Sequence, residues 1–220
     1  MHRIGSSLAA RIVGCFLGVV APSVARAATL DPALLEEINF ARTNPQAYAL
    51  RLEREPVTAW ERGLARSEDS GAFAEAVAFL KRQPALPPLV GDENLAAAAL
   101  DHVAEQGASG EVGHQSRGGE PFNQRLRRHG VEVRVQGENI AYGPAKAADV
   151  VRELIIDSGV ADRGHRENIF QPAFAAAGGT CGPHPTYGTV CVMDFSGPPR
   201  AVSMTLARAR LSSEVEGPAS

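Results

Sequence analysis

The chain has 220 residues, 44% hydrophobic and 21% charged, which is enough for one well-cored domain. Its 22 Lys and Arg against 25 Asp and Glu give a formal charge of −3, with no basic stripe. That balance argues against a nucleic-acid or anionic-membrane partner, and no apolar run reaches the length needed to span a bilayer.

Residues 1–27 read as an export signal. Arg3 and Arg11 supply positive charge, Ile12 to Ala21 is a short apolar run, and Ala25-Arg26-Ala27 has the small-residue pattern of a cleavage site. Ile12-Val13-Gly14-Cys15 is not a lipid-attachment box, because the apolar run follows Cys15 instead of preceding it. Cleavage after Ala27 removes Arg3, Arg11 and Arg26 and no acid, so the formal charge moves from −3 to −6. The expected product is a secreted or periplasmic protein with a domain over 28–198 and a polar tail over 199–220, in which Val202 to Leu211 reads as an extra strand.

Asp31 as N-cap and Pro32 at the first helical position predict a helix over about 31–52, interrupted at Asn44-Pro45. Glu53 to Ser70 is charged and reads as a surface excursion; Gly71 to Gln83, with Phe73, Val77 and Leu80 at helical spacing, reads as a packing helix. Asp92 caps a helix over 93–106 whose stripe is Leu95, Ala99, Leu100 and Val103, with His102 as a core-boundary residue. A short helix over 120–130 turns Phe122 and Leu126 inward and Arg125, Arg127 and Arg128 outward as a solvated face. Val131 to Gln136 alternates and is expected to be extended, placing Glu138 at its end. A further helix covers 146–156, with Val150, Val151, Leu154 and Ile155 on its apolar face.

Near the end of the domain, segments around 175–182 and 189–196 flank a run of turn formers from Gly182 to Gly188 and read as a hairpin. Cys181 and Cys191 stand at its two ends. In an oxidising compartment they are expected to form a disulfide, the alternative being two buried thiols.

The chemically capable residues fall in three islands: Gly113-His114-Gln115-Ser116, Gly137-Glu138-Asn139-Ile140-Ala141-Tyr142-Gly143, and Gly164-His165-Arg166-Glu167-Asn168-Ile169-Phe170. Glu138 lies in an otherwise apolar run, where a charge needs a partner. Convergence of His114, Glu138 and His165 with a further acid in one cleft satisfies that need. Two neutral imidazoles give a divalent metal two nitrogen ligands, and carboxylates coordinate it or orient its water. A hydrogen-bonded polar network is the alternative. There is neither an H-E-x-x-H nor a G-x-S-x-G motif.

The three islands, in this order, together with Glu37 to Pro45, Leu86-Pro87-Pro88-Leu89 and Val192-Met193-Asp194-Phe195-Ser196-Gly197, resemble the bacterial branch of the CAP (SCP-like) family of cysteine-rich secretory, antigen 5 and pathogenesis-related proteins. The resemblance implies an α+β fold, an α-β-α sandwich around a small antiparallel sheet, with structural hydrogen bonds at Asn39. It implies zinc as the metal, held reversibly by His114, Glu138, His165 and a fourth residue, Asp157 or Glu153. It also implies an extracellular binding or interaction module, with a sterol, a fatty acid or another extracellular protein as partner. The alternative is a metal-dependent hydrolase or protease using the same cleft.

Overall fold

The computed structural model describes residues 31–55, 71–132 and 134–198. The expected signal over 1–27, most of the charged excursion, and the tail from 199 onward lie outside the described residues.

Asp31 caps α1 (Pro32–Thr43) by accepting from the Ala33 amide, and Asn44-Pro45 separates it from α2 (Pro45–Arg54) as the sequence predicts. The packing helix is α3 (Ala72–Arg82), burying Ala72, Ala76, Val77 and Leu80. A two-residue strand, β1 (Val90–Gly91), leads to Asp92, whose carboxylate accepts from the Asn94 and Leu95 amides and starts α4 (Glu93–Ser109). Then come α5 (Phe122–Arg128), β2 (Gln136–Tyr142), α6 (Ala147–Ile156), α7 (Gly164–Ile169), β3 (Ala176–His184) and β4 (Gly188–Ser196).

The sheet order is β1-β3-β4-β2. β3–β4 and β4–β2 are antiparallel, but β1 runs parallel to β3, so the sheet is mixed where the sequence reading made it antiparallel. Two residues carry too little alternation to be read as a strand. The second correction concerns the extended segment expected over 131–136. Val131 instead packs with Leu95, Ala98 and Leu126, and the strand begins at Gln136, which places Glu138 inside β2 rather than after it.

Strand alternation divides the core into two faces. Ile140, Val190 and Val192 pack with Ala99 and Val103 of α4. Ala141, Cys191, Met193 and Phe195 face the other way, onto a larger cluster built from α1, α2, α3 and α6. The chain is thus an α+β, α-β-α sandwich, with α4 and α5 on one side. The α4 layer lies almost in contact with β3: a Cβ added at Gly178 would sit 2.2 Å from the Ala96 nitrogen, and one at Gly182 2.5 Å from Val103.

Cys181 and Cys191 form the expected disulfide, but from positions inside β3 and β4, directly opposite each other in the register, and not at the ends of the hairpin. On the other side of the fold, the Asn39 carboxamide both donates to and accepts from the Leu89 main chain. Buried Arg42 donates to the carbonyls of Pro87, Ile169 and Gln171, tying α1 to the end of α7.

Candidate functional site: two imidazole–acid pairs at the edge of β2

Among the described residues only β4 pairs with β2, which places β2 at the end of the described strand order, and the three islands meet around it. Glu138 shares the α4-facing side of the strand with Ile140 and Tyr142, and Asn139 turns to the other side. Gly137 makes room for this crossing, since a Cβ there would lie 2.8 Å from the Phe174 ring and 2.9 Å from the Asn168 carboxamide.

The first pair forms on the α4 side. After α4, Gly110 in the left-handed region ends the helix, and a glycine-rich loop carries His114 to Glu138. His114 Nδ1 lies 2.8 Å from Glu138 Oε1. The imidazole side chain is 55% exposed and the acid 2%. Behind the acid, the Arg125 guanidinium donates to Glu138 Oε2, to Ser116 Oγ at 2.8 Å and to the His114 carbonyl at 3.4 Å.

Arg125 is therefore fully buried, which corrects its expected place on a solvated face. Its neighbours Arg127 and Arg128 do face solvent. Two signals pointed inward. Arg125 follows Phe122 by three residues and so shares its helical face, and Glu138 required a cationic partner.

A third acid adjoins this pair. Asp194 is directly opposite Glu138 in the β2–β4 register, it is fully buried, and among the described residues neither of its oxygens has a hydrogen-bond donor. Burial foremost, then the Glu138 charge beside it, holds its pKa well above the usual carboxylate range, with Arg125 pulling in the opposite direction. An Asp194 that keeps its proton has a natural acceptor in Glu138, and it leaves one buried negative charge facing one buried guanidinium.

The second pair forms at the junction of α6 and α7. Asp157 ends α6 in the left-handed region, with φ of 54°, and its amide donates to the Glu153 carbonyl. Its carboxylate turns to the start of α7: Oδ1 lies 2.7 Å from His165 Nδ1, while Oδ2 accepts from the His165 amide at 2.9 Å and the Arg166 amide at 3.3 Å. Of the two acids the sequence left open, Asp157 is the one bonded to His165. The longer connection over 158–163 is held by Arg163, which donates to the carbonyls of Asp157 and Val160.

Between the pairs runs a bridge of carboxamides. Asn139 donates to the His165 carbonyl at 2.9 Å, and Asn168 donates to Asn139 Oδ1 at 2.9 Å and to the Glu138 carbonyl at 3.2 Å. The sequence reading treated both asparagines only as parts of their islands.

In each pair the ring bonds its acid through Nδ1. A neutral imidazole so placed carries its proton on Nδ1 and keeps the lone pair on Nε2. Hydrogen bonding of this kind orients metal-binding and basic histidines alike.

The four side chains do not form one cluster: among the described residues, no group of three or more His, Cys, Asp or Glu is placed to hold a metal ion. Nor do the acids suit direct coordination. Glu138 is engaged by His114 and Arg125, and Asp157 by the His165 ring and two main-chain amides. The donor atoms that fit a transition metal are the two Nε2 nitrogens.

The sequence profile of the cysteine-rich secretory protein family, CAP, matches residues 35–195. Among solved structures, the chain is similar to an extracellular SCP-domain protein from Bacillus anthracis, at 20% identity over 66% of this chain and 45% of that one, with a TM-score of 0.45. It is similar to an outer surface protein from Borrelia burgdorferi, at 19% identity over 52% of this chain and 80% of that one, with a TM-score of 0.44. A third, a cysteine-rich secretory protein from Staphylococcus aureus, has 14% identity over 60% and 40%, with a TM-score of 0.40. The chain thus spans less than half the length of the first and third of these proteins. A search of curated proteins gives no significant match.

Proposed function

The chain belongs to the CAP family of cysteine-rich secretory proteins, and from that premise we propose that it is an exported binding module. Its binding centre is the pair of acid-oriented imidazoles, His114 and His165, which take a divalent transition-metal ion reversibly. The observation that carries this reading is the Nδ1 bond each ring makes to a buried acid, which leaves Nε2 as the donor atom.

Two imidazoles suit zinc among the common ions, and two protein donors suit an ion that comes and goes better than a permanent structural one. Glu138 and Asp157 then serve as orienting residues behind the ligands. When bound, the ion would supply Lewis-acid character beside the His114 and His165 rings. Export is supported by the leader-like pattern of residues 1–27 and by the Cys181–Cys191 disulfide, which persists in an oxidising compartment.

Calorimetric titration of zinc into metal-stripped protein, beside folded His114→Ala and His165→Ala variants, tests the pair. The expected result is binding by the parent that is lost in both variants. A parent that takes no zinc, or variants that bind as well as it does, overturns the reading; loss in one variant only reduces the centre to a single imidazole.

A further inference from the structure

The loop that brings His114 to Glu138 is glycine-rich, and nothing in its composition explains how the ring is held where Glu138 can reach it. The explanation lies in one residue, Gly113. The Gly113 amide donates to Tyr142 Oη at 2.9 Å, and Tyr142 Oη in turn donates to Gln106 Oε1 at 2.9 Å. Gln106 Nε2 then donates to the Gly113 carbonyl at 2.7 Å, which closes a ring of three hydrogen bonds on a single residue. His102 Nε2 lies 2.8 Å from the same carbonyl and 2.9 Å from Gln106 Nε2, so according to its tautomer it either donates to that carbonyl or accepts from Gln106.

Resting on the reading above and deepening it, we infer that Tyr142 and Gln106 are positioning residues for His114, acting through the Gly113 main chain. The Gly113 amide belongs to the peptide before that residue and its carbonyl to the peptide that carries the His114 nitrogen. Fixing both fixes the direction in which His114 leaves the loop. Gly113 has φ of 102°, a conformation that glycine adopts freely, so the loop itself supplies little preference for this geometry. On the far side, Arg125 holds the His114 carbonyl, so the histidine is bracketed at both of its own peptides.

The donors and acceptors of the ring match one for one. Tyr142 accepts from an amide and donates to a carboxamide oxygen, and Gln106 accepts through Oε1 and donates through Nε2. Both His102 and Gln106 are buried, where an unmatched polar group is costly. Burial foremost raises the Tyr142 phenol above its ordinary value, so it stays protonated and able to donate. The arrangement also explains the spacing within the middle island. Glu138 and Tyr142 are four residues apart on one face of β2, so one strand holds His114 twice, by its ring and through the residue that precedes it.

The test compares Tyr142→Phe, which removes one oxygen, with the parent, using nitrogen-15 NMR and amide hydrogen exchange on the metal-free protein before zinc is added. Three results are expected in the variant: faster Gly113 amide exchange, loss or broadening of the His114 Nδ1–H signal, and an unchanged His165 signal. Zinc affinity is expected to fall by roughly 10-fold or more, the usual scale for removing an outer-shell partner. Ile38→Val, a core change in the opposite layer, should leave all of these unchanged. A folded Tyr142→Phe with the Gly113 exchange and the His114 signal of the parent overturns the inference. If the parent takes no zinc but the variant still releases Gly113 and His114, the positioning role stands and the metal reading falls. Should Tyr142→Phe fail to fold, Gln106→Met, which opens the ring at its other side, decides by the same signals.

Discussion

The two imidazole–acid pairs make the same contact by different means. Around His114 the acid comes from a strand, is backed by a buried guanidinium, and lies beside a further buried acid; the histidine arrives on a loop that has to be clamped. Around His165 the acid ends a helix, its second oxygen is satisfied by two main-chain amides, and the histidine sits in the first turn of the next helix. Exposure follows construction: the His114 side chain is 55% exposed and that of His165 23%. A carboxylate held by backbone amides draws on groups every residue carries, whereas one held by a buried arginine depends on a particular side chain. The first pair should therefore be the more fragile to substitution.

The largest effect is expected at Arg125. Replacing it with Met keeps much of its volume but leaves Glu138 buried without its cation, a type of change that costs about 3–5 kcal/mol. Urea unfolding should show that loss, and NMR of any folded fraction should show the His114 Nδ1–H signal disturbed while that of His165 persists. An exposed arginine, as the sequence suggested, would change stability by no more than about 0.5 kcal/mol, and that result would refute the buried ion pair.

A smaller effect is expected at Asp157, and it should appear on the other histidine. Asparagine tolerates the left-handed backbone here, but its carboxamide has one oxygen where the carboxylate offers two. Asp157→Asn therefore leaves part of the His165 turn unsatisfied, at about 1–3 kcal/mol. Asp157→Ala should cost more, since it also puts an alanine in the left-handed region. Chemical denaturation gives the order, and NMR should show His165 changed and His114 unchanged. Equal disturbance of both histidines would mean that the carboxamide bridge couples the pairs into one unit.

Most of the fold was legible because helices declare themselves through caps and period. Asp31, Pro32, Asn44-Pro45 and Asp92 each mark a boundary that the structure places where the sequence reading did. β1 was not legible, since two residues show no period. The start of β2 was misplaced because Val131 to Gln136 alternates like a strand, while its first residue packs under α4 and α5. In the site, the histidines and Glu138 stood out as chemistry at odds with its surroundings, but their supports did not. Arg125 sits in a run of basic residues that looks solvated, and Gln106 and Tyr142 have ordinary local contexts; only the long-range meeting of α4, the loop and β2 gives them partners. Asp194 was quoted only as part of a motif, because strand register alone puts it opposite Glu138.

Asp194 also provides the mildest way to sharpen the contrast between the pairs. An aspartate in the unfolded chain loses its proton at about pH 4. Burial and the adjacent Glu138 charge keep the proton on Asp194 to higher pH in the folded protein. Above about pH 4 the folded state therefore binds more protons at this residue than the unfolded state does, so its contribution to stability falls as pH rises toward the folded pKa. Asn at this position can donate to Glu138 at any pH, which removes that dependence. Asp194→Asn is expected to gain stability relative to the parent between pH 4 and pH 7, by about 1 kcal/mol, on the scale of one neutral hydrogen bond. Thermal unfolding at a series of pH values gives the difference directly. If the parent and variant curves run parallel across that window, Asp194 is ionised in the folded protein, and Arg125 faces two buried negative charges instead of one.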